Sequence, residues 1–404
     1  MNVQRAAQIL LTILIAAIAA KFGTSSQFYT ESLSSAFFAI ALVSVAIVHL
    51  RVCRVWPDAL VLVAATALLA AVDFRLLGYT HRIMAWFSFA GLGSLLLLAI
   101  RSVWATEDRR KLLLYAFVPS LLFVTSEWFA SAMLDWTEKL HPRTLDLFLY
   151  FFDGSLRVQL SFLMGQAFQL WPWFKFLGTI FYISLPIPIA LVYSGQLLRV
   201  RKKAIPTMAA FLFTGPVGIV FYNIFPAMGP IHLVHGNFPW HPLPGDMLRR
   251  VLLEPVALHG PRNAIPSLHM GWVLLAWWYS RGLTWWERAI TFLFVAFTVC
   301  GTMGTGEHYF VDLVVAYPFA LLMQALCTWP LLRKDSSRLL ALLFGLSTTL
   351  VWLMALRLTP HFFWISPIFP WTACAATVAL TIWFKRRLDL SSLTVSQTQT
   401  AERA

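Results

Sequence analysis

The stretch Gly304–Tyr317, "GTGEHYFVDLVVAY", sets a glutamate, a histidine and an aspartate within six positions at the mouth of a long apolar run. Charge inside such a run is costly, so an ionisable group there is usually paired or functional. His308 and Asp312 are four apart and share one face of a helix. A carboxylate so placed can accept the imidazole Nδ1 proton. That fixes the tautomer and leaves Nε2 free as a base or nucleophile. The stretch therefore predicts a helix opening near His308 and a second chemical group on the same side.

The surrounding chain says what kind of helix this is. Of 404 residues, 59% are hydrophobic and 12% charged, about half the charge of a soluble domain, and the mean hydropathy is +0.71. These values describe an integral membrane protein. The net charge of +13 does not point to nucleic acid, because the basic residues lie between apolar runs rather than in a separate stripe. Cys53, Cys300, Cys327 and Cys374 are widely spaced, read as small buried hydrophobes, and form no disulfide or zinc pattern.

A crossing takes roughly 17–25 residues. Twelve runs qualify with their flanks: 6–23, 34–50, 58–74, 83–101, 112–133, 174–198, 207–226, 266–281, 286–304, 308–329, 337–356 and 365–384. The expected fold is all-α and polytopic, with about twelve transmembrane helices. The alternate connections holding Arg109–Lys111, Arg199–Lys203, Arg333–Lys334 and Lys385–Arg387 are the basic ones. The bias of Lys and Arg assigns that side, and both termini, to the cytoplasm. The first run, which ends in small residues, can also be read as a signal peptide.

Residues 134–173, whose apolar residues are interrupted by Asp146, Asp153 and Arg157, read as an amphipathic segment lying at the outer interface. Residues 227–265, rich in Pro, Gly and His, form a long outer connection of the kind that carries function. The polar tail from Ser391 reads as disordered. The sequence thus divides into a four-span region (1–110), a six-helix core (111–330), two C-terminal spans (331–387) and a tail (388–404).

The second chemical group lies 39 residues upstream, in "PSLH" (266–269). Pro266 suits the first turn of a helix. The chain crosses inward from His269, turns near Arg281–Arg288 and returns outward to "GTGEH". Two crossings thus bring His269 and His308 to one face.

"PSLH" and "HYFVD" resemble the second motif, and the end of the third, of the type 2 phosphatidic acid phosphatase superfamily. Together with "LDLFLYFFDGSL" and "FYNIFPAMGP" upstream, they are most similar to the inositolphosphotransferase branch, which contains inositol phosphorylceramide synthase. "HYFVDLVVAY" is also similar to the last motif of sphingomyelin synthases. The resemblance covers roughly residues 112–330. It implies a six-helix core in which His308 attacks phosphorus and becomes a phosphohistidine, Asp312 orients it, and His269 protonates the leaving group. It further implies a lipid phosphate or phospholipid substrate, water or a polyol or lipid alcohol as acceptor, no metal or cofactor, and an extracytoplasmic site on a bacterial inner membrane.

The superfamily's first motif is absent, and Gly301 and Thr302 stand where the phosphatases carry Ser-Arg. The missing Arg favours the transferase branch. Other residues then have to meet the phosphoryl charge. Arg262 can hold phosphate in two-pronged fashion. Ser267 and the amides of its helix start can add to an anion site. Tyr222 and Asn223 end the run at 207–226, and Glu127 is an intramembrane carboxylate. His232, His235, His241 and His259 share the outer loops, but Pro and Gly break their spacing and no metal site is assigned. A transporter using Asp312 and Glu127 for ion coupling is the contrasting reading. It lacks the paired broken helices such proteins show. A non-catalytic scaffold is the third.

Overall fold

A computed structural model describes residues 36–53, 56–77, 83–199, 201–329 and 335–401, together with Arg5, Gln8, Ile9, Thr12 and Ile13. The first expected span, 6–23, lies largely outside the described residues. The long helices are α1 (Ala36–Cys53), α2 (Trp56–Leu77), α3 (Ile83–Trp104), α4 (Glu107–Leu140), α5 (Asp146–Ser155), α6 (Leu160–Leu170), α7 (Pro172–Ile183), α8 (Pro186–Arg199), α9 (Arg201–Ile224), α10 (Leu268–Tyr279), α11 (Trp285–Gly304), α12 (Phe310–Cys327), α13 (Ser336–Leu358) and α14 (Ile368–Ala401).

Among the described residues, seven helices are long and apolar enough to cross a membrane, and the broken pair α7 and α8 makes an eighth. This is a multi-pass membrane protein, and among the described residues the count of twelve is not reached. Run 58–74 has only a shorter apolar stretch, Asp58–Ala71. Charged residues at both ends dilute α4. At 12 residues, α10 is about 18 Å long, short of a bilayer core of about 30 Å.

The chain forms two compact units: residues 1–129, 183–208 and 282–287, and residues 130–182, 209–281 and 288–404. In the first, α1 and α3 meet backbone to backbone, since a Cβ on Gly91 would lie 2.3 Å from the Leu42 carbonyl oxygen. Arg51 pairs with Glu287 and donates to the Leu191 carbonyl at 3.0 Å.

The second unit is organised around α12, nearly all of whose side chains are buried. Gly345 of α13 lets that helix approach α12 closely. Asp335 starts α13 by accepting the Ser337 and Arg338 amides at 2.7 and 3.2 Å. Two short strands, β1 (Arg143–Thr144) and β2 (Val256–Ala257), pair antiparallel and tie the long connection to the end of α4.

One expectation changes here. The segment read as interfacial contains α5, a helix buried along almost its whole length. Its aspartates serve other parts of the chain rather than water. The last helix, α14, runs to Ala401. Residues 388–401 contain neither Gly nor Pro, so nothing in them stops a helix.

Candidate active site

Tyr309, in extended conformation (φ −79°, ψ 160°), precedes α12, and Asp312 folds back to accept its N–H at 2.8 Å. That bond sets where the helix begins. It also brings Asp312 Oδ2 to 3.4 Å from Nδ1 of the buried His308, within ion-pair reach but longer than a well-formed hydrogen bond. Asp312 Oδ1 has no hydrogen-bond partner among the described residues. The Nδ1-to-carboxylate orientation is the one the i, i+4 spacing predicts.

The other imidazole nitrogen, Nε2, faces Ser267 Oγ at 3.2 Å. Ser267 is the N-cap of α10 and also accepts the Met270 N–H, at 3.4 Å. Pro266 therefore stands one residue before the cap rather than in the first turn. The Ser267 amide donates to the Asp312 carbonyl at 3.2 Å, joining the two helix starts directly. One residue into α10, the His269 ring centre lies 6.5 Å from that of His308. The His269 imidazole is stacked on Tyr182 at 4.0 Å with an interplanar angle of 18°.

Arg262 and Asn223 turn elsewhere, while Tyr222 stays at the start of α10. Arg262 is buried and turned into its own loop: Nε donates to the His141 carbonyl at 2.8 Å, Nη2 to Leu258 at 2.9 Å, and Nη1 to Gly260. Its fork is filled by backbone carbonyls, so it acts here as a loop clamp. Burial pushes its pKa down, against the nearby charges of Glu138 and Asp146. Asn223 Oδ1 accepts from His141 Nε2 at 3.0 Å, and its amide nitrogen donates to the Ile219 carbonyl at 2.8 Å. Since Oδ1 is an acceptor, the protonated ring nitrogen is the donor. Tyr222 is buried with its hydroxyl against the backbone of Leu268, at the start of α10. The side chain of Glu127 lies outside the described residues. Of the outer-loop histidines, His232 lies 3.8 Å from Glu307, whose carboxylate raises its pKa, and His259 lies 3.5 Å from Glu138.

Three residues given no role in the site from sequence hold the nucleophile's segment. Asp153, buried on α5, accepts the Phe310 amide at 2.8 Å and the Val311 amide at 3.4 Å. These are the first two orphan donors of α12. Burial, reinforced by the nearby Asp312 charge, pushes its pKa up to about 8, while the two amides pull it down. Asp146, two turns earlier, accepts from the Met228 and Gly229 amides and from the Tyr309 hydroxyl at 3.1 Å. Burial raises its pKa as well. Ser161 of α6 donates to the His308 carbonyl at 2.8 Å. The available signal was the spacing of Asp146 and Asp153, seven apart and so on one face of an otherwise apolar helix.

Chemically, the arrangement offers an imidazole with a carboxylate oxygen 3.4 Å behind Nδ1, a hydroxyl beside Nε2 and a second imidazole across a short gap. Residues 147–326 match the family model of the PAP2 superfamily, a stretch that contains His269, His308 and Asp312. No curated protein and no solved structure matched the chain.

Proposed function

We propose that this protein is a lipid phosphotransferase or phosphatase of the inositolphosphotransferase type, working through a phosphohistidine. The observation that carries the reading is the pairing of His308 with His269 across 6.5 Å, with Asp312 behind the first ring. A nucleophile approaches phosphorus from about 3 Å, and an acid reaches the leaving oxygen over a hydrogen bond of about 3 Å. Two rings at this spacing suit a phosphoryl group between them.

His308 Nε2 attacks phosphorus while the bond to the leaving oxygen breaks, and protonated His269 gives that oxygen its proton. Positive charge grows on the His308 ring, and Asp312 stabilises it through Nδ1–H. Water or an alcohol then attacks the phosphohistidine and the P–N bond breaks. Neutral His269 takes the acceptor's proton, and both rings return to their starting state. Ser267 hydrogen-bonds Nε2 in the resting site and gives way to substrate. The phosphoryl oxygens meet the start of α10 rather than Arg262. The Lys and Arg bias supports an extracytoplasmic site with both termini in the cytoplasm, and the bacterial inner membrane is the expected location.

The test is to incubate purified protein with a panel of lipid phosphates, pyrophosphates and phospholipids, with and without inositol, measuring free phosphate and new lipid products. Wild type should give one or the other and an acid-labile phosphoenzyme on rapid quench. His308→Ala should give neither while eluting as a folded species. Undiminished turnover by His308→Ala would refute the mechanism.

A further inference from the structure

Away from the histidines, α5 ends in an unusual way. Leu156 caps it, and Arg157 follows with φ at +64°, its amide donating to the Gly154 carbonyl at 3.1 Å. This is the left-handed residue after a helix, where glycine is the common choice because a Cβ is disfavoured. The chain places an arginine there. Its guanidinium lies over the Trp364 ring, 5.2 Å from the centre. A second guanidinium, that of Arg249, lies 4.8 Å from the same centre. Both arginines are exposed, and neither makes an ion pair with Asp or Glu within 4 Å among the described residues. Two like charges are thus gathered on one indole with no fixed counter-charge.

The neighbourhood is apolar and open. Met247 and Leu252 flank Arg249 in sequence and are 57% and 75% exposed; Ile365 and Ile368, next to Trp364 and at the start of α14, are 73% and 72% exposed. Arginines set among exposed apolar side chains at the end of a membrane helix describe the depth of lipid headgroups. The indole Nε1 of Trp364 donates to the Phe151 carbonyl at 3.1 Å, which fixes the ring to α5. The same helix carries Asp153, so this surface lies at the end of the bundle where α12 begins.

We propose that Arg157, Arg249 and Trp364 form a binding site for the phosphate of an anionic membrane phospholipid, separate from the histidine pair. The lipid phosphate supplies the missing counter-charge between the guanidinium groups, and its acyl chains lie along the exposed apolar side chains. Recognition is by charge and by the flat guanidinium fork.

The test uses full-length His308→Ala protein in detergent, so that no probe can be consumed and the result does not depend on the proposed reaction. Binding of fluorescent short-chain phosphatidylglycerol and phosphatidylcholine is followed by anisotropy. Phosphatidylglycerol should bind more tightly, losing about fivefold on Arg249→Gln and about 25-fold on the double variant with Arg157→Gln. Phosphatidylcholine should be unaffected. Arg157→Gly separates binding from folding. Glycine relaxes the left-handed backbone, so the thermal midpoint should hold or rise while phosphatidylglycerol affinity falls about fivefold. Equal affinity for the two lipids, unchanged phosphatidylglycerol binding by the double variant, or displacement of the lipid by equimolar inorganic phosphate would each overturn the proposal.

Discussion

The two helix starts that meet at the site are finished in opposite ways. At α12, Asp312 takes the Tyr309 amide, and Asp153 takes the Phe310 and Val311 amides. Carboxyl oxygens therefore occupy the end of the helix that would otherwise attract an anion. At α10, the cap is a neutral serine hydroxyl 3.4 Å from the Met270 amide. The contrast assigns different work to each. The carboxyl-capped start suits an imidazole that becomes positive as it attacks, and with its amides already taken it offers phosphate no free donors. The serine-capped start carries no negative side chain and suits the phosphoryl oxygens. A helix N-terminus is thus not an anion site by default; what already caps it decides.

Breaking the comparison at its most sensitive point means removing the acid on the serine-capped side. His269→Ala should lower turnover of a lipid phosphate by about 10²–10⁴-fold. A substrate with an aryl leaving group, which departs without a proton, should lose far less. Equal losses for both would show that His269 does something other than protonate the leaving oxygen.

The carboxyl-capped side should fail differently. Asp153→Asn leaves one amide of α12 without its acceptor, at a cost of about 1–3 kcal/mol. Turnover should fall through kcat with little change in KM, because the nucleophile moves while the start of α10 does not. This variant also carries a pH signature. The carboxyl pKa is about 8 in the fold, against about 3.9 in an unfolded chain. The folded state favours the protonated form, so the contribution is full below about pH 4 and is lost as pH rises through 8. The thermal midpoint in detergent should therefore decline over that window in wild type and decline less in Asp153→Asn. Parallel curves would show that Asp153 does not titrate there.

The smallest effect is expected at Ser267→Ala, which removes an N-cap worth about 1 kcal/mol. A midpoint shift of a few degrees should accompany a turnover change well below that of His269→Ala. A loss as large as that of His269→Ala would mean that the hydroxyl acts directly on the substrate.

Much of this site was legible because its logic is local. The spacing of His308 and Asp312 fixes their shared face whatever surrounds them. Counting crossings brings "PSLH" to the same end, and the ring contact of 6.5 Å has that arrangement. What was not legible depends on partners far apart in sequence. Arg262 has the chemistry of a phosphate ligand, but its position among the carbonyls of residues 141, 258 and 260 is a product of the loop's path. Asp146 and Asp153 looked like the polar face of an interfacial helix, since the same spacing serves water or a buried amide equally well. The depth of α5 decides between them, and depth is a property of the packed bundle.

The close approach at Gly345 gives the C-terminal helices a mechanical role. A Cβ there would stand 2.7 Å from both the Pro318 carbonyl oxygen and the Leu322 amide nitrogen, atoms of α12's own backbone that cannot swing aside. α12 also lacks one internal hydrogen bond, the one Val314's carbonyl would accept from residue 318, one turn before the point where α13 presses on it. The last two helices therefore act as a splint for a cracked rod whose far tip carries the nucleophile. Even a single methyl group at residue 345 would act as a wedge at the fulcrum, moving His308 without touching it.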